Sequence, residues 1–200
     1  MLRKFLCILV ALSAAAAATS SLAGQQIYEP LSAQVRAGLA SEISDSPAPR
    51  HGFSDAIEAA NWLNEMSGRL ERRLSDYRTR IDFLRTVHYE ATRAGLDPQL
   101  ILALIQIESN FRKFAVSTAG ARGYMQVMPF WIKLIGRAND NLFNFRINLR
   151  YGCVILKHYL EVENGNLSRA LARYNGSLGK TEYPNLVYSA WRNNWTYGIR

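Results

Sequence analysis

Cysteine is scarce in this chain of 200 residues, in which only Cys7 and Cys153 occur. Cys7 lies in an apolar N-terminal run, so the rest of the chain offers no disulfide framework and no cysteine-based metal site. Cys153 lies in an apolar stretch, and we interpret it as a small buried hydrophobe rather than a reactive thiol. The three histidines, His51, His88 and His158, are far apart, and none has a second ligand at helical spacing. We therefore expect no metal and no cofactor.

A hydrophobic run long enough to span a bilayer comfortably is also lacking. Residues 5–18 are apolar and Ala-rich, follow a short basic start, and precede small residues at Ser21 and Ala23. This pattern predicts a secretory signal peptide over residues 1–23, and hence a periplasmic or secreted protein without stable membrane insertion. An uncleaved anchor over the same run is the alternative. Cys7 lacks the small neighbours of a lipoprotein site, so no lipid anchor is expected.

Acidic residues are in the minority, with 16 Asp and Glu against 24 Lys and Arg and a formal net charge of +8. Loss of Arg3 and Lys4 with the signal peptide would lower this charge by two. A basic secreted protein is attracted to nucleic acid, an acidic membrane surface or an anionic cell wall, and charge alone does not choose among them. The basic residues are scattered rather than interleaved with aromatics, so no nucleic-acid partner is expected. The arginines between residues 69 and 85 are interpreted first as a solvated helix face.

Convincing alternation of apolar and polar residues, which marks half-buried strands, is absent, and helical periodicity predicts a mainly α fold. Residues 24–52 look loosely organised and include a Pro- and Gly-punctuated linker. From an N-cap at Ser54 to about Gly95 the pattern predicts helix, with one break near Gly68. Further helices are expected over residues 99–110, 148–161, 167–174 and 183–195, and Asn175-Gly176 is expected to close the third of these.

The helix over residues 99–110 has the clearest start of the set. Asp97 is suited to the N-cap position, and Pro98 is pre-set for the first helical turn. The residues that follow are apolar almost all round, which indicates a buried central helix.

Glu108 shares one side of this helix with Ile101, Leu104 and Ile105, at helical spacing. Its carboxylate is therefore expected against an apolar wall, in the last helical turn, where the helix end carries partial negative charge. Both effects disfavour ionisation and should raise the pKa of Glu108. A glutamic acid that keeps its proton near neutral pH is what general-acid cleavage of a glycosidic bond requires. The alternative is that the helix surfaces here, which would leave an ordinary solvated glutamate.

Four blocks of sequence lie in order between about residues 80 and 195. They are Leu104-Ile-Gln-Ile-Glu-Ser-Asn-Phe111, then Ala115-Val-Ser117-Thr-Ala-Gly-Ala-Arg-Gly-Tyr-Met-Gln-Val-Met-Pro129, then Leu142-Phe143 with Asn148 and Tyr151-Gly152, and finally Ala172-Arg-Tyr174-Asn175-Gly176. In content, order and spacing these blocks resemble the soluble lytic transglycosylase family, also called the SLT domain.

The resemblance implies a lysozyme-like, mainly α catalytic domain of the goose-lysozyme type over residues 76–200. Residues 24–75 are expected to form a linker and a helical N-terminal extension, which could pack on the catalytic domain, dock onto a wall-spanning secretion or cell-wall assembly, or restrict the cleft. The family cleaves the β-1,4 bond between N-acetylmuramic acid and N-acetylglucosamine in peptidoglycan glycan strands, without adding water, and leaves 1,6-anhydromuramoyl ends. Glu108 would be its catalytic residue, acting first as acid and then as base.

The resemblance also implies a set of substrate-binding residues: Ser117, Met125, Gln126, Met128, Tyr174 and Asn175. Ser117 would lie near the muramoyl sugar, while the two methionines and Gln126 would line a cleft beside Glu108. Tyr174 would approach Glu108 and tune its proton affinity, with Asn175 holding that loop. Core packing is the alternative for Met125 and Met128, and a backbone-bonded core tyrosine is the alternative for Tyr174. Ser109 is expected to fix the helix terminus.

A conventional glycosidase needs two carboxylates flanking the scissile bond. The candidates on either side of Glu108 in sequence are Asp97, already explained as an N-cap, and Glu90 and Asp140, which carry no motif. A second carboxylate becomes unnecessary if the substrate's own N-acetyl carbonyl stabilises the oxocarbenium-like centre. A hydrolysing muramidase on the same scaffold, or a non-catalytic wall-binding or secretion-apparatus protein, are the rival interpretations.

The chain departs from the family pattern at two places. Arg112-Lys113 stands where the family usually has Asn-Pro, and Asn144-Phe145 stands where Asp-Pro is usual. Both pairs are expected at helix or loop edges, where they would alter substrate placement rather than abolish activity.

Overall fold

Aspartate and asparagine side chains begin most of the helices in the computed structural model, which describes residues 26–44 and 55–198. The five N-caps accept hydrogen bonds from backbone N–H groups of the turn that follows; they are Asp55, Asp76, Asp97, Asn144 and Asn166. Because the first N–H groups of a helix have no partner within it, each cap fixes where its helix begins.

Eight α-helices and a terminal π-helical turn make up the regular structure of the described residues. They are α1 Ala33–Ser44, α2 Ala56–Leu70, α3 Tyr77–Arg93, α4 Pro98–Ser109, α5 Phe130–Ile135, α6 Phe145–Val162, α7 Leu167–Asn175, α8 Glu182–Ala190 and the π turn Trp191–Trp195. The mainly α fold expected from the sequence is confirmed. Within the same residues the only β pairing is a pair of isolated bridges, Val116 with Arg122 and Arg122 with Val127.

Helix α4 lies at the centre of the molecule, packed against α3, α8 and the π turn. The side chains from Ile101 to Ile105 are fully buried, so this helix is apolar on every side, as expected. Asp97 accepts from the backbone N–H groups of Gln99 and Leu100, and Pro98 occupies the first turn, which confirms the predicted start. Cys153 is also fully buried in the core, as the sequence indicated.

Two expectations for the N-terminal half are wrong. Residues 24–52 are not loosely organised throughout, because α1 occupies Ala33–Ser44. The cap of α2 is Asp55 rather than Ser54, since the Asp55 carboxylate accepts from two backbone N–H groups. The single break expected near Gly68 is confirmed, although it falls over residues 71–76 and Gly68 itself lies inside α2 with open space around its Cα.

One of the arginines between residues 69 and 85 is not solvated. Arg80 is 5% exposed, and its guanidinium donates to the Ser67 hydroxyl and to the carbonyls of Leu74 and Ser75. It therefore closes the turn between α2 and α3, which explains why the chain bends at that point rather than at the glycine.

Helix α1 packs against α5 and α6, and its buried residues Leu39 and Ile43 belong to the same core as α4. Three arginines from other elements donate to its last carbonyls: Arg93 to Glu42, Arg150 to Ile43 and Arg137 to Ser44. Basic side chains stabilise the C-terminal end of a helix because they satisfy carbonyls that have no partner within it. Long-range contacts therefore fix α1.

The predicted signal peptide, Cys7 and the linker over residues 46–52 lie outside the described residues. Among the helices that the structure does describe, none combines the length and the apolar character needed to cross a membrane.

Candidate active site

Glu108 lies in the last turn of α4, and only 3% of its surface is exposed. The next residue anchors this helix end, because the Ser109 hydroxyl reaches the carbonyl of Tyr124 at 2.7 Å and that of Ile105 at 3.2 Å. This agrees with the expectation that Ser109 fixes the terminus. Asn110 and Phe111 follow with φ of 48° and 61°, so the backbone leaves the helix through two left-handed residues. Such strain persists only where packing imposes it, and it collects at functional sites.

The two carboxyl oxygens of Glu108 have different surroundings. The Tyr183 hydroxyl donates a hydrogen bond to Oε1 across the interface between α8 and α4. Oε2 is buried and has no hydrogen-bond partner among the described residues. One oxygen is therefore held in place, while the other carries no hydrogen bond that would compete for a proton.

Burial raises the pKa of Glu108 to about 8 from its ordinary value of 4.5, and the hydrogen bond from Tyr183 opposes this rise. The rise follows from desolvation, because an apolar environment penalises the charged carboxylate. No other ionisable side chain in the described part of the chain contributes to the shift. The raised pKa expected from the sequence is confirmed, and the alternative of a solvated glutamate is wrong.

Two tyrosines face Glu108, and burial raises the pKa of both phenols well above the ordinary value. Tyr183 makes the hydrogen bond to the carboxyl, whereas the Tyr174 hydroxyl donates to the carbonyl of Met125 at 2.7 Å. Tyr174 lies close enough for the Glu108 charge to act on it, but the direct contact belongs to Tyr183. Tyr183 is not among the residues predicted above, because no motif around it gives a signal.

The loop beside this helix end is held by a buried asparagine of α6. The Asn148 side chain accepts from the backbone N–H of Met125 and donates to the carbonyl of Arg122, each at 2.8 Å. Gly123 lies directly against it with φ of 76°, and a Cβ there would meet the Leu142 carbonyl oxygen at 2.5 Å. Only glycine fits this position without displacing backbone. Asn148 belongs to the third sequence block, yet the sequence analysis assigned it no role.

The other residues implied by the resemblance lie in or next to this loop. Met125 is fully buried and Gln126 is 2% exposed, while Met128 is half-buried. The Gln126 side chain donates to the carbonyls of Ala115 and Gly123, so it braces the loop from within. The Met125 side chain packs in the core, and its backbone carbonyl accepts the hydrogen bond from Tyr174.

Ser117 and Asn175 are the first and the last of the candidate binding residues in sequence. The Ser117 hydroxyl accepts from the backbone N–H of Ala121 at 3.0 Å, so it closes its own turn. Asn175 is the last residue of α7 and is 7% exposed, directly after Tyr174. The structure therefore places Tyr174 near Glu108 and joins its hydroxyl to the Met125 carbonyl, whereas the Ser117 hydroxyl oxygen accepts a hydrogen bond within its own loop.

Each of the three acidic residues weighed as a second carboxylate has a structural partner. Asp97 caps α4, Glu90 forms ion pairs with Arg93 and Arg150, and Asp140 accepts from the Tyr151 hydroxyl. These three carboxylates are thus engaged elsewhere in the fold, whereas Glu108 Oε2 has no hydrogen-bond partner among the described residues.

Comparison with known families shows which family of proteins this chain matches. The family model described as Transglycosylase SLT domain matches residues 85–193, which is more than half of the chain. The chain belongs to this family. The matched SLT region contains α4 to α8, Glu108, Tyr183 and every candidate binding residue. The lysozyme-like character that the resemblance implied is thereby confirmed.

Several transglycosylases from bacteria and from a phage are similar to part of the chain. The chain is 45% identical over 113 residues to a membrane-bound lytic murein transglycosylase C of Mannheimia succiniciproducens, covering 48% of this chain and 32% of that protein. It is 32% identical over 113 residues to a protein of the same name in Yersinia pestis, with the same coverage. It is 27% identical over 103 residues to a transglycosylase of Enterobacteria phage PRD1, covering 52% of this chain and 38% of the phage protein. The matched part thus spans less than two fifths of each relative.

The two departures from the SLT pattern have local structural uses. Asn144 caps α6 by accepting from the backbone N–H groups of Arg146 and Ile147, a task that aspartate and asparagine perform equally well. Arg112 donates to the carbonyl of Ser109 at the end of α4, where a cation suits the helix terminus. Neither departure involves Tyr183, the residue that donates a hydrogen bond to the Glu108 carboxyl.

Proposed function

We propose that this protein is a peptidoglycan lytic transglycosylase, with Glu108 as its catalytic acid and base. The main support is the buried carboxyl of Glu108, whose pKa is raised to about 8. Its Oε1 accepts a hydrogen bond from Tyr183, and its Oε2 has no hydrogen-bond partner among the described residues. Membership of the SLT family and the names of the murein-acting relatives support this substrate class.

In the first half-reaction the protonated Glu108 gives its proton to the glycosidic oxygen as the bond to the muramoyl C1 breaks. The carbonyl oxygen of the substrate's N-acetyl group bonds to C1 and stabilises the positive charge there. A carboxyl with a pKa near 8 is protonated at neutral pH, so the acid is ready without a change of pH.

In the second half-reaction the Glu108 carboxylate takes the proton of the muramoyl 6-hydroxyl. The oxygen of that hydroxyl bonds to C1 and displaces the acetamido oxygen, which gives the 1,6-anhydro end and regenerates protonated Glu108. No water is consumed, and one side chain serves both steps. Met125, Gln126, Met128, Tyr174, Asn175 and Ser117 are proposed to shape the sugar site around it.

We also propose the organisation that the sequence indicates: a signal peptide over residues 1–23, an extension over residues 24–75 and a catalytic domain over residues 76–200. The protein would act in the periplasm or outside the cell. N-terminal sequencing of the exported protein tests the first boundary, with Gly24 expected as the first residue.

Digestion of purified sacculi, with mass analysis of the released sugars, tests the function. Anhydromuramoyl ends are expected, each lighter by one water than the reducing ends that a hydrolysing muramidase would leave. Glu108→Gln is expected to lower the rate by at least about a hundredfold, while the matched exposed variant Glu161→Gln retains activity. Reducing ends would replace the proposal with a muramidase, and no released sugars at all would leave a wall-binding protein. Full activity of Glu108→Gln would overturn Glu108 as the catalytic residue.

A further inference from the structure

A short N-terminal segment outside the SLT-matched residues lies against the active-site loop. Residues 26–30 precede α1, and here we call them the N-terminal strap. Tyr28 packs edge-on against Phe130 at 5.6 Å between ring centroids, and Glu29 pairs with Arg173 of α7 at 2.6 Å. The strap therefore contacts α5, which follows the loop that carries Met125, Gln126 and Met128, and α7, which carries Tyr174.

The buried contact of the strap is made by Gln26, which is 3% exposed. Its Nε2 donates to the carbonyl of Gln126 at 3.1 Å, and its Oε1 accepts from the backbone N–H of Met128 at 3.0 Å. A neighbouring parallel strand would satisfy the same carbonyl and N–H groups, one residue on either side of Val127. The side-chain amide of Gln26 thus takes the place of a missing strand.

The other edge of the same segment is paired as well. Val127 exchanges both backbone hydrogen bonds with Arg122, so Gln26 and Arg122 hold residues 126–128 from opposite sides. Gln126 has φ of 49°, in the left-handed region, and such a conformation is kept only by its surroundings. Gln26 supplies a part of those surroundings from 100 residues away in sequence.

From this segment the contacts continue to the catalytic carboxyl. Met125 accepts from the Tyr174 hydroxyl, and Tyr174, which also interacts with the Gln26 side chain, faces Glu108. On the other side, Tyr124 accepts from Ser109 at the end of α4. Loosening residues 126–128 would therefore open the surroundings of Glu108 to water.

We propose that Gln26 is a positioning residue of the active site, whose side-chain amide fixes residues 126–128 and so keeps the packing around Glu108 closed. Its catalytic consequence rests on the function proposed above, whereas its effect on the loop and on the Glu108 carboxyl does not. The titratable groups that face Glu108 from the neighbouring helices are the phenols of Tyr174 on α7 and Tyr183 on α8.

The test compares Gln26→Ala and Gln26→Met with Glu29→Ala in the full chain. Methionine keeps the volume of the glutamine without its hydrogen bonds, so it remains informative if the alanine variant folds poorly. Glu29→Ala removes the neighbouring strap contact to Arg173 and leaves both bonds to the loop. Melting temperature is measured for all three variants, so that stability and positioning can be separated.

Two readouts need no substrate. Hydrogen exchange of the Met128 amide, followed by NMR, is expected to be about fivefold faster in both Gln26 variants and unchanged in Glu29→Ala. The pKa of Glu108, followed by carboxyl-carbon NMR, is expected to fall in both Gln26 variants because entering water relieves the desolvation. Wild-type values of either quantity in both variants would overturn the proposal.

The third readout is turnover on glycan strands across pH. Both Gln26 variants are expected to lose about tenfold in kcat, with KM within about threefold and the alkaline limb of kcat moved to lower pH. A lower melting temperature with an unmoved kcat and alkaline limb would mean a structural role only and would overturn the proposal. If the wild-type protein released no anhydro products, the proposed function would fail, while the two NMR readouts would still decide the role of Gln26.

Discussion

At Glu108, burial and hydrogen bonding act on the pKa in opposite directions. Desolvation raises the pKa, while the hydrogen bond from Tyr183 to Oε1 lowers it because a donated bond stabilises the charged form. The result is a carboxyl that keeps its proton near neutral pH and can still release it. This balance allows one side chain to serve as acid and then as base.

Replacing Tyr183 with phenylalanine is expected to raise the pKa of Glu108 further, because only the desolvation then remains. The alkaline limb of kcat should move to higher pH, and kcat should fall as the carboxyl loses its anchor. Carboxyl-carbon NMR and pH–rate profiles measure both effects. Tyr188→Phe, on the same helix and stacked on Trp191, is the matched control and should leave the pKa unchanged. A lower pKa in Tyr183→Phe would contradict this account of the hydrogen bond.

The raised pKa of Glu108 also predicts how stability depends on pH. Between an unfolded pKa of 4.5 and a folded pKa of about 8, the folded protein binds more protons, so its unfolding free energy falls as pH rises. Relative to Glu108→Gln, which has no such proton, the wild type should lose a few kcal/mol across this window, at about 1.4 kcal/mol per pKa unit. Urea denaturation at several pH values measures the difference. A difference independent of pH would contradict the raised pKa.

How far the sequence predicts the site can be judged from two residues. Glu108 is predictable because the apolar face, the helix end and the sequence block are all local. Tyr183 is not, because its contact with Glu108 spans 75 residues and depends on how α8 packs against α4. The pattern around residue 183 indicates a helix start and nothing more.

Among the elements, α6 packs tightly against the active-site loop, residues 122–128. Gly152 of α6 faces Met125, and a Cβ added there would lie 2.8 Å from the Cβ of Met125. The glycine therefore lets the helix approach the loop that Asn148, one turn earlier on α6, holds by hydrogen bonds. Overpacking at such a contact displaces neighbouring atoms.

Gly152→Ala is expected to destabilise the protein by about 1–3 kcal/mol and to lower kcat, because Met125 must shift. Gly68→Ala is the matched control, since Gly68 lies inside α2 with nothing within 4 Å of an added Cβ. It should stabilise the protein by about 0.5–1 kcal/mol and leave kcat unchanged. Chemical denaturation and turnover assays measure both. A neutral Gly152→Ala would contradict the close approach, and a destabilising Gly68→Ala would contradict a helix running through that position.

The elements were predictable where their signals are local. The Asp97-Pro98 start of α4 and the Asn175-Gly176 end of α7 follow from capping chemistry, and both are as expected. Helix α1 was missed because its sequence is rich in small residues and buries only Leu39 and Ile43. Its last carbonyls are satisfied by arginines of distant elements, a feature that no local pattern contains.

For the whole molecule, the apolar residues of α1 and α2 belong to one core with those of the SLT-matched region. The described parts are therefore expected to unfold in a single transition, with coincident curves from circular dichroism and tryptophan fluorescence. Leu39→Ala in α1 should lower the midpoint of that one transition by removing about 2–5 kcal/mol, while the exposed control Val35→Ala should not. A separate early transition, affected alone by Leu39→Ala, would contradict a shared core.

The measurement that tests the account most directly is the titration of the Glu108 carboxyl carbon by NMR in the folded protein, with Glu108→Gln used to assign the signal. The account predicts a midpoint at about 8, with the proton retained through neutral pH. A midpoint at the ordinary value of 4.5 would contradict it, because the carboxyl would then be ionised when the glycosidic oxygen needs a proton.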